Sequence, residues 1–413
     1  MQAVEKKVII KPSSLLIIVM DPIFTLLFIL TAAWCMGLLF KRFNLPMILG
    51  ELSAGLIIGP PILGLVGPSG SFFPWTPIFD TLAKFGMFSL IFYAGLKTDP
   101  KAIMKNIKPS FAIGILGTLT PIVLGTLVTW LFTHNFWTSI IIGIAISSTS
   151  LVTKTRILSD LNLLKSKIGH TIVGGALVDN IFSFIIVGIV IELITTGATN
   201  ILGMGYVILS VLITFAAVIF IGYYVYPKIG GFFSQEGTAG STFTLLVGLL
   251  IAAVGHEFGL HFIIGAYLAG LFVSNEFVGR KFNDIKLFFH TLSHDFIGPL
   301  FLVSVAFHVK LGVLITHAPF LILLLGAAMI GKFIGAGFGA HLAKLKKKEA
   351  FVIGMAMNGR GTTELILAMI GLELGILTDV HVSLLVFVAF VTTLLVPVGL
   401  KYAVSKHPSF LEA

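Results

Sequence analysis

Charged residues are scarce in this sequence. They make up 11% of its 413 residues, whereas a soluble globular domain carries about a quarter. Hydrophobic residues account for 57%, and the mean hydropathy is +1.05. A chain of this composition would expose too much apolar surface to water, so it is predicted to be an integral membrane protein.

Several other features are also missing. The single cysteine, Cys35, excludes a disulfide framework and a cysteine metal cluster. No cleavable signal peptide is evident, because the first apolar run leads directly into further apolar segments. The sequence has no Gly-rich phosphate loop and no loop long enough for a soluble domain. We therefore expect residues 1–413 to form one transmembrane unit, without a soluble regulatory domain, a nucleotide or a cofactor.

About thirteen apolar segments follow one another, which predicts an all-α polytopic membrane protein. They lie roughly at 22–40, 46–60, 80–97, 109–133, 136–161, 166–194, 203–224, 239–256, 259–275, 288–310, 316–340, 349–371 and 379–401.

Basic residues between these segments are distributed unevenly. After even-numbered segments there is only Lys310. After odd-numbered segments the sequence has Lys41, Arg42, Lys97, Lys101, Lys105, Lys108, Lys165, Lys167, Lys228, Arg280, Lys281, Lys286, Lys344, Lys346, Lys347, Lys348, Lys401 and Lys406. The positive-inside rule then predicts a cytoplasmic C-terminus and an outer N-terminus in a cell membrane, although Lys6, Lys7 and Lys11 are exceptions. The net charge of +9 therefore reflects the orientation of the chain in the membrane and does not indicate a nucleic-acid-binding surface.

Asp179 stands at the centre of the sixth apolar segment, with Asn180 beside it. An ionisable group in mid-membrane costs about 2.5–3.5 kcal/mol to insert, and such groups usually face a partner or a water-filled path. Lys332 lies equally deep in the eleventh segment, among small residues that allow close helix packing. A buried lysine requires a carboxylate, and Asp179 is the central candidate. The alternative is that Lys332 extends to the membrane interface.

Two segments contain polar interruptions that predict broken helices. The fifth has the sequence SSTS at 147–150, and the twelfth has NGRG at 358–361. Such residues compete with helical hydrogen bonding, and in lipid the freed backbone groups must be satisfied inside the protein. The two breaks are seven segments apart, so they have opposite orientations in the membrane, as in inverted-topology repeats. Small residues that only allow close packing are the alternative explanation.

Six strings, taken in order, resemble the monovalent cation:proton antiporter superfamily, in its bacterial branch of sodium/proton and potassium/proton exchangers. They are LPMILGELSAGLIIGP at 45–60, FYAGLKTD at 92–99, STSLVTKTRIL at 148–158, GLHFIIGAYLAGLFVS at 259–274, GKFIGAGFGA at 331–340 and MNGRGTTELI at 357–366.

The resemblance implies the sodium/proton antiporter fold: thirteen helices, two crossing broken helices, a homodimer and elevator-like alternating access. It implies a core bundle that includes about 80–194 and 259–371, with the remaining helices as a dimerisation scaffold. By position, Asp179, Asn180 and Lys332 would couple cation and proton transport. The cation would bind at Asp179, Thr149, Ser150 and Asn180. The broken helices would be supported by Lys154, Arg156, Asn358, Arg360 and Glu364.

Asn180 departs from the family pattern. Electrogenic relatives have two adjacent aspartates and electroneutral ones have Asn or Gln before Asp, whereas this chain has Asp before Asn. An amide can coordinate a cation but cannot carry a proton. Three outcomes stay open: Asp179 serves both roles while Lys332 carries the proton, Glu364 replaces the missing carboxylate, or the site is inactive or altered. An Arg360–Glu364 pair at i,i+4 spacing is the favoured role of Glu364.

The leading hypothesis is therefore a secondary transporter, not an enzyme, that exchanges Na⁺, or alternatively K⁺ or Li⁺, for H⁺. The alternative is a non-exchanging member that acts as a channel or an ion sensor, or an inactive Asp-to-Asn variant of an antiporter. Asn180 is the feature that favours it.

Overall fold

The computed structural model describes residues 21–43, 45–68, 71–97, 106–151, 154–155, 158, 163–164, 166–197, 200–224, 228, 239–257, 261–273 and 282–405. Almost all of these residues are helical. The helices are α1 (Pro22–Arg42), α2 (Met47–Ile58), α3 (Pro77–Leu96), α4 (Ile107–Thr133), α5 (Phe136–Ser147), α6 (Lys167–Thr196), α7 (Ile201–Tyr224), α8 (Ala239–Glu257), α9 (Phe262–Phe272), α10 (Phe282–His290), α11 (Gly298–Phe307), α12 (Val313–Thr316), α13 (Ala318–Leu342), α14 (Lys347–Met357), α15 (Thr362–Glu373) and α16 (Asp379–Ser405). A π-helical turn, Thr291–Phe296, joins α10 to α11, and two short strands, β1 (Val66–Gly67) and β2 (Phe73–Pro74), pair in parallel.

The helix ends follow capping rules. The side chain of Ser166 accepts a hydrogen bond from the backbone N–H of Gly169 at 3.1 Å and starts α6. Gly197, with φ +63°, ends the same helix in the left-handed conformation that glycine adopts without strain. α6 therefore has thirty residues, and Asp179 lies near its middle.

The helices agree closely with the predicted apolar segments, and the expected helical membrane fold is confirmed. In the described part of the chain, six helices are long and apolar enough to cross a membrane by themselves, and five shorter apolar helices accompany them. The number of thirteen spans stays a prediction.

The helices pack in two groups. In the first, α4 contacts α5, α6 and α13, while α14 packs on α13, and α15 on α5 and α16. In the second, α3 contacts α9 and α11, α2 contacts α1 and α11, and α8 contacts α9. Helix α7 touches both groups, through α6 and α9. The predicted core ranges also include α3 and α9–α11, and the division into a core and a scaffold stays a prediction.

Helices α4 and α13 are in close contact through glycines of α13. A Cβ atom at Gly335 would lie 2.3 Å from the backbone oxygen of Leu116, and one at Gly339 would lie 2.4 Å from that of Ala112. Only glycine allows the two backbones to approach this closely, which is the usual function of small residues between membrane helices. Lys332 lies one turn before Gly335 and is held at this contact.

Candidate functional site

The carboxylate of Asp179 is completely buried and surrounded by donors. Its side chain has 0% exposure. Its Oδ1 accepts hydrogen bonds from Lys332 Nζ and Thr118 Oγ1, each at 2.5 Å, and its Oδ2 accepts one from Thr149 Oγ1 at 2.5 Å. A buried charge requires such partners, because the low-dielectric interior gives it no water. Asp179 and Lys332 thus form a buried ion pair, and its role in transport stays a prediction.

Helix α4 comes close enough to α6 for Thr118 to reach Asp179 because position 114 is glycine. A Cβ atom at Gly114 would lie 2.6 Å from side-chain carbons of Val178 and 2.9 Å from the backbone nitrogen of Asp179. Thr118 follows Gly114 by four residues and therefore lies on the same helix face.

Lys332 also binds the end of a broken helix. Its Nζ donates to the backbone oxygen of Ser147 at 2.6 Å. Helix α5 ends at Ser147, and Ser148 has an extended backbone with φ −65° and ψ 147°. The last carbonyl groups of a helix lack partners and carry partial negative charge, so a lysine ammonium satisfies them well. Lys332 therefore connects the first break to the carboxylate.

Lys154 is a second buried lysine at this site, with 1% exposure. Its Nζ donates to Thr149 Oγ1 at 2.6 Å and lies 3.5 Å from Met357 Sδ. Thr149 thus accepts from Lys154 and donates to Asp179 Oδ2. One carboxylate is linked to two lysines, directly to Lys332 and through a hydroxyl to Lys154.

The two breaks touch each other. The backbone N–H of Ser150 donates to the backbone oxygen of Gly359 at 3.0 Å. Helix α14 ends at Met357 and α15 begins at Thr362, so the second interruption falls at the predicted residues. The prediction of two crossing broken helices agrees with this contact.

Arg360 holds the second break in place, and its side chain is fully buried. Nη1 lies 3.3 Å from Glu364 Oε1, and Nη2 donates to the backbone oxygen of Ala328 on α13 at 3.1 Å. Thr393 on α16 donates to the backbone oxygen of Arg360 at 3.4 Å. The arginine and the glutamate largely neutralise each other. No recorded contact between described residues joins Glu364 to Asp179, and its use as a substitute carboxylate stays a prediction.

Asn180 contributes an oxygen without a partner. The residue is 3% exposed, and among the described residues nothing donates to its Oδ1. Ser148 Oγ, Ser183 Oγ and Asn358 Oδ1 are also buried and unpaired in the described part of the chain. A buried polar atom without a partner costs about 1–3 kcal/mol. Since small hard cations prefer oxygen ligands, these atoms are candidates for binding a dehydrated cation.

An apolar layer lies on the C-terminal side of Asp179 along α6. It surrounds a small cavity lined by Ile141, Ile144, Val187, Ile191, Leu367, Ile370 and Gly371. These residues belong to α5, α6 and α15, which also contribute residues to the site.

The structure brings together most of the residues predicted for the site: Asp179, Asn180, Lys332, Thr149, Ser150, Lys154, Asn358, Arg360 and Glu364. Arg156 lies outside the described residues. Sequence reasoning missed Thr118 and the sulfur of Met357. The Gly114–Thr118 spacing on an apolar helix is the one signal that favours a close, polar helix contact there.

Comparisons with known proteins give a consistent result. The family model described as "Sodium/hydrogen exchanger, transmembrane" matches residues 26–406. The chain is 27% identical over 392 residues to the Na(+)/H(+)-K(+) antiporter GerN of Bacillus cereus, which covers 94% of this chain and 98% of that protein. It is also 27% identical over 369 residues to a Na(+)/H(+) antiporter of Enterococcus hirae, with 89% and 94% covered.

A solved structure has the same fold. The sodium proton antiporter MjNhaP1 from Methanocaldococcus jannaschii matches with a TM-score of 0.73 and 16% identity, over 93% of this chain and 96% of that one. At this identity the likeness establishes the fold alone, and the predicted antiporter fold is confirmed.

Proposed function

Because the chain belongs to the sodium/hydrogen exchanger family, we propose that it is a secondary active transporter that exchanges a monovalent cation for protons. The family is one of transporters and not of enzymes. Na⁺ is the leading cation, since both bacterial relatives are named for it, and the Bacillus relative is also named for K⁺. Li⁺ is a further candidate because it is a small, hard monovalent ion.

The observation that carries this proposal is the buried ion pair of Asp179 and Lys332 at the meeting point of two helix breaks. A cation that binds Asp179 takes over the charge compensation that Lys332 provides. Lys332 is then released from the carboxylate, and its proton can leave to water. When the cation departs, Lys332 takes up a proton and pairs with Asp179 again. Binding of the cation and binding of the proton are therefore mutually exclusive.

Asn180 sets the number of protons in this cycle. Its amide oxygen is available to the cation, but it has no proton to exchange. A single carboxylate–lysine pair then exchanges one proton for one monovalent cation, so no net charge moves. Thr149, Ser150 and the oxygen of Asn180 would complete the cation's ligands beside Asp179.

We further propose elevator-like movement of a core bundle against a scaffold in a homodimer. The support is the fold and the grouping of helices, with the site in the group formed by α4–α6 and α13–α16. Exposed apolar side chains such as Trp34 on α1 and Leu202 on α7 suit contact with lipid or a second copy. A cell membrane location with the C-terminus in the cytoplasm follows from the distribution of lysine and arginine.

The test is exchange by purified protein in proteoliposomes loaded with a pH-sensitive dye. Addition of Na⁺, Li⁺ or K⁺ is expected to change the internal pH. The response is expected at starting pH values within roughly the range where coupled lysine–carboxylate sites titrate. Asp179→Asn is expected to abolish this response, while Asp284→Asn, at an exposed position on α10, serves as the matched control. Absence of a response to all three cations in the wild type would refute the proposal.

The unpaired amide of Asn180 favours one second candidate, a member that conducts or senses ions without exchange. It predicts a steady cation conductance in planar bilayers, or cation binding, with no movement of protons. Proton-coupled uptake in the vesicles described above excludes it.

A further inference from the structure

Lys154 lies on the face of Asp179 that Lys332 leaves free. Lys332 and Thr118 occupy Oδ1, whereas Oδ2 receives only Thr149 among the hydrogen bonds of the described residues. Lys154 donates to the same Thr149 hydroxyl, and the two contacts of 2.6 and 2.5 Å place its ammonium within about 5 Å of Oδ2.

Both breaks fix the position of this lysine. A Cβ atom at Gly359 would lie 3.1 Å from Lys154 Cγ, so the stem of the lysine packs on the second break. Its Nζ reaches Thr149 in the first break and lies 3.5 Å from Met357 Sδ. The side chain is buried along its length and cannot extend to the membrane surface.

A bound cation would compete with Lys154 for the hydroxyl oxygen of Thr149. A hydroxyl has one hydrogen and two lone pairs. The hydrogen goes to Asp179 Oδ2, and Lys154 takes a lone pair that a bound cation would otherwise use. An oxygen atom uses its lone pairs both to accept a hydrogen bond from an ammonium group and to ligate a metal cation. Lys154 therefore occupies a position at the Thr149 oxygen that the transported ion requires.

The charges around Lys154 strengthen its competition with a bound cation. The groups that act on it are Asp179, Lys332 and Arg360. Arg360 is paired with Glu364, so among the described residues of the site one carboxylate, Asp179, remains to balance the two lysines. A further cation therefore meets a site with an excess of positive charge for as long as Lys154 keeps its place.

We propose that Lys154 sets the cation affinity of the exchange site, acting as an internal competitor that the transported cation must displace from Thr149. This inference rests on the proposed function. By weakening cation binding, Lys154 allows fast release after each crossing. It raises the KM for the cation and raises the turnover number with it.

The experiment compares Lys154→Gln and Lys154→Met with the wild type, as full chains in proteoliposomes, by Na⁺-driven proton movement. Gln can still donate to Thr149 but has no charge, and Met removes both properties. Unit charges about 5 Å apart interact strongly enough, even at an effective dielectric constant of about 20, to change an affinity by a factor of ten or more. We expect a KM for Na⁺ that is at least roughly tenfold lower in both variants, with a lower turnover number because release is slower.

Two controls accompany these variants. Lys154→Arg keeps the positive charge, so its KM for Na⁺ is expected to stay above that of the Gln and Met variants. Lys108→Met makes the same chemical change at an exposed position on α4 and is expected to change neither parameter.

An unchanged or raised KM in Lys154→Gln would overturn the proposal. Loss of exchange by both uncharged variants, or failure of both to fold, would also overturn it, because either result assigns Lys154 an essential or structural role. If only the Met variant fails to fold, the Gln variant decides. Wild-type exchange in the same vesicles distinguishes the two proposals. If the wild type shows no exchange, the proposed function fails. If the wild type exchanges and the KM of Lys154→Gln is unchanged, only the role of Lys154 is refuted.

Discussion

Asn180→Asp is the substitution with the most specific expected result. It places a second carboxyl group beside Asp179, at a buried position whose oxygen has no partner among the described residues. Under the proposed cycle, the Asp179–Lys332 pair of the wild type releases one proton when a cation binds, so we predict exchange without net charge movement. A second carboxyl adds one proton to the cycle, and two protons then exchange for each cation.

The expected magnitude follows from this count. In the wild type, a membrane voltage does not change the cation gradient at which net exchange stops. In Asn180→Asp, each cycle moves one net charge, so a voltage of about 59 mV shifts the balancing cation gradient by a factor of ten. The assay is the zero-flux point in proteoliposomes, with the voltage set by a K⁺ gradient and valinomycin and with Na⁺ as the transported cation.

Asn135→Asp is the matched control, since it makes the same change at the N-cap of α5. The side chain of Asn135 accepts a hydrogen bond from the backbone N–H of Thr138 at 3.1 Å, and aspartate fills such a position equally well. A zero-flux point that shifts with voltage in the wild type, or one that stays constant in Asn180→Asp, would show that the proton count is wrong.

Three further predictions concern stability and can be checked by thermal unfolding of the protein in detergent. Asp179→Asn leaves the Lys332 ammonium buried without its counter-charge, so we expect it to cost about 3–5 kcal/mol, and an unchanged unfolding temperature would contradict the ion pair. Thr118→Val removes a hydrogen bond to a charged group and should cost about 1.5–3 kcal/mol, whereas Thr118→Ser retains the bond and should cost less. Gly335→Ala places a methyl group 2.3 Å from a backbone oxygen of α4 and should destabilise by about 1–3 kcal/mol. Gly326→Ala on the same helix enters open space and should not destabilise the fold, and equal effects at both positions would refute the close contact.

Much of this site could be predicted from the sequence because its residues are rare where they occur. Asp179 and Lys332 interrupt long apolar runs, and the SSTS and NGRG sequences interrupt helices. A charge or a break inside a membrane is costly, so its position alone marks a site. The pairing of Asp179 with Lys332 could also be predicted, because few other charged residues lie deep in the apolar segments.

The contacts around these residues could not be predicted, because they depend on how helices pack. Thr118 resembles many other threonines in apolar helices, and only the approach of α4 to α6 at Gly114 makes it a ligand of Asp179. The resemblance implies only that Lys154 supports a broken helix and does not predict which atom it contacts. The structure shows Lys332 donating to the oxygen of Ser147, while Lys154 donates to Thr149. The direction of a long side chain is decided by space and partners that no local pattern records.

The central claim is that a cation displaces a proton at the pair of Asp179 and Lys332. The most direct measurement is the release of protons when Na⁺ is added to the purified protein in a weakly buffered detergent solution, together with the amount of Na⁺ bound. We predict one proton released for each bound cation in the wild type, and neither binding nor release in Asp179→Asn. Na⁺ binding without proton release, or proton release by the Asp179→Asn protein, would contradict the account.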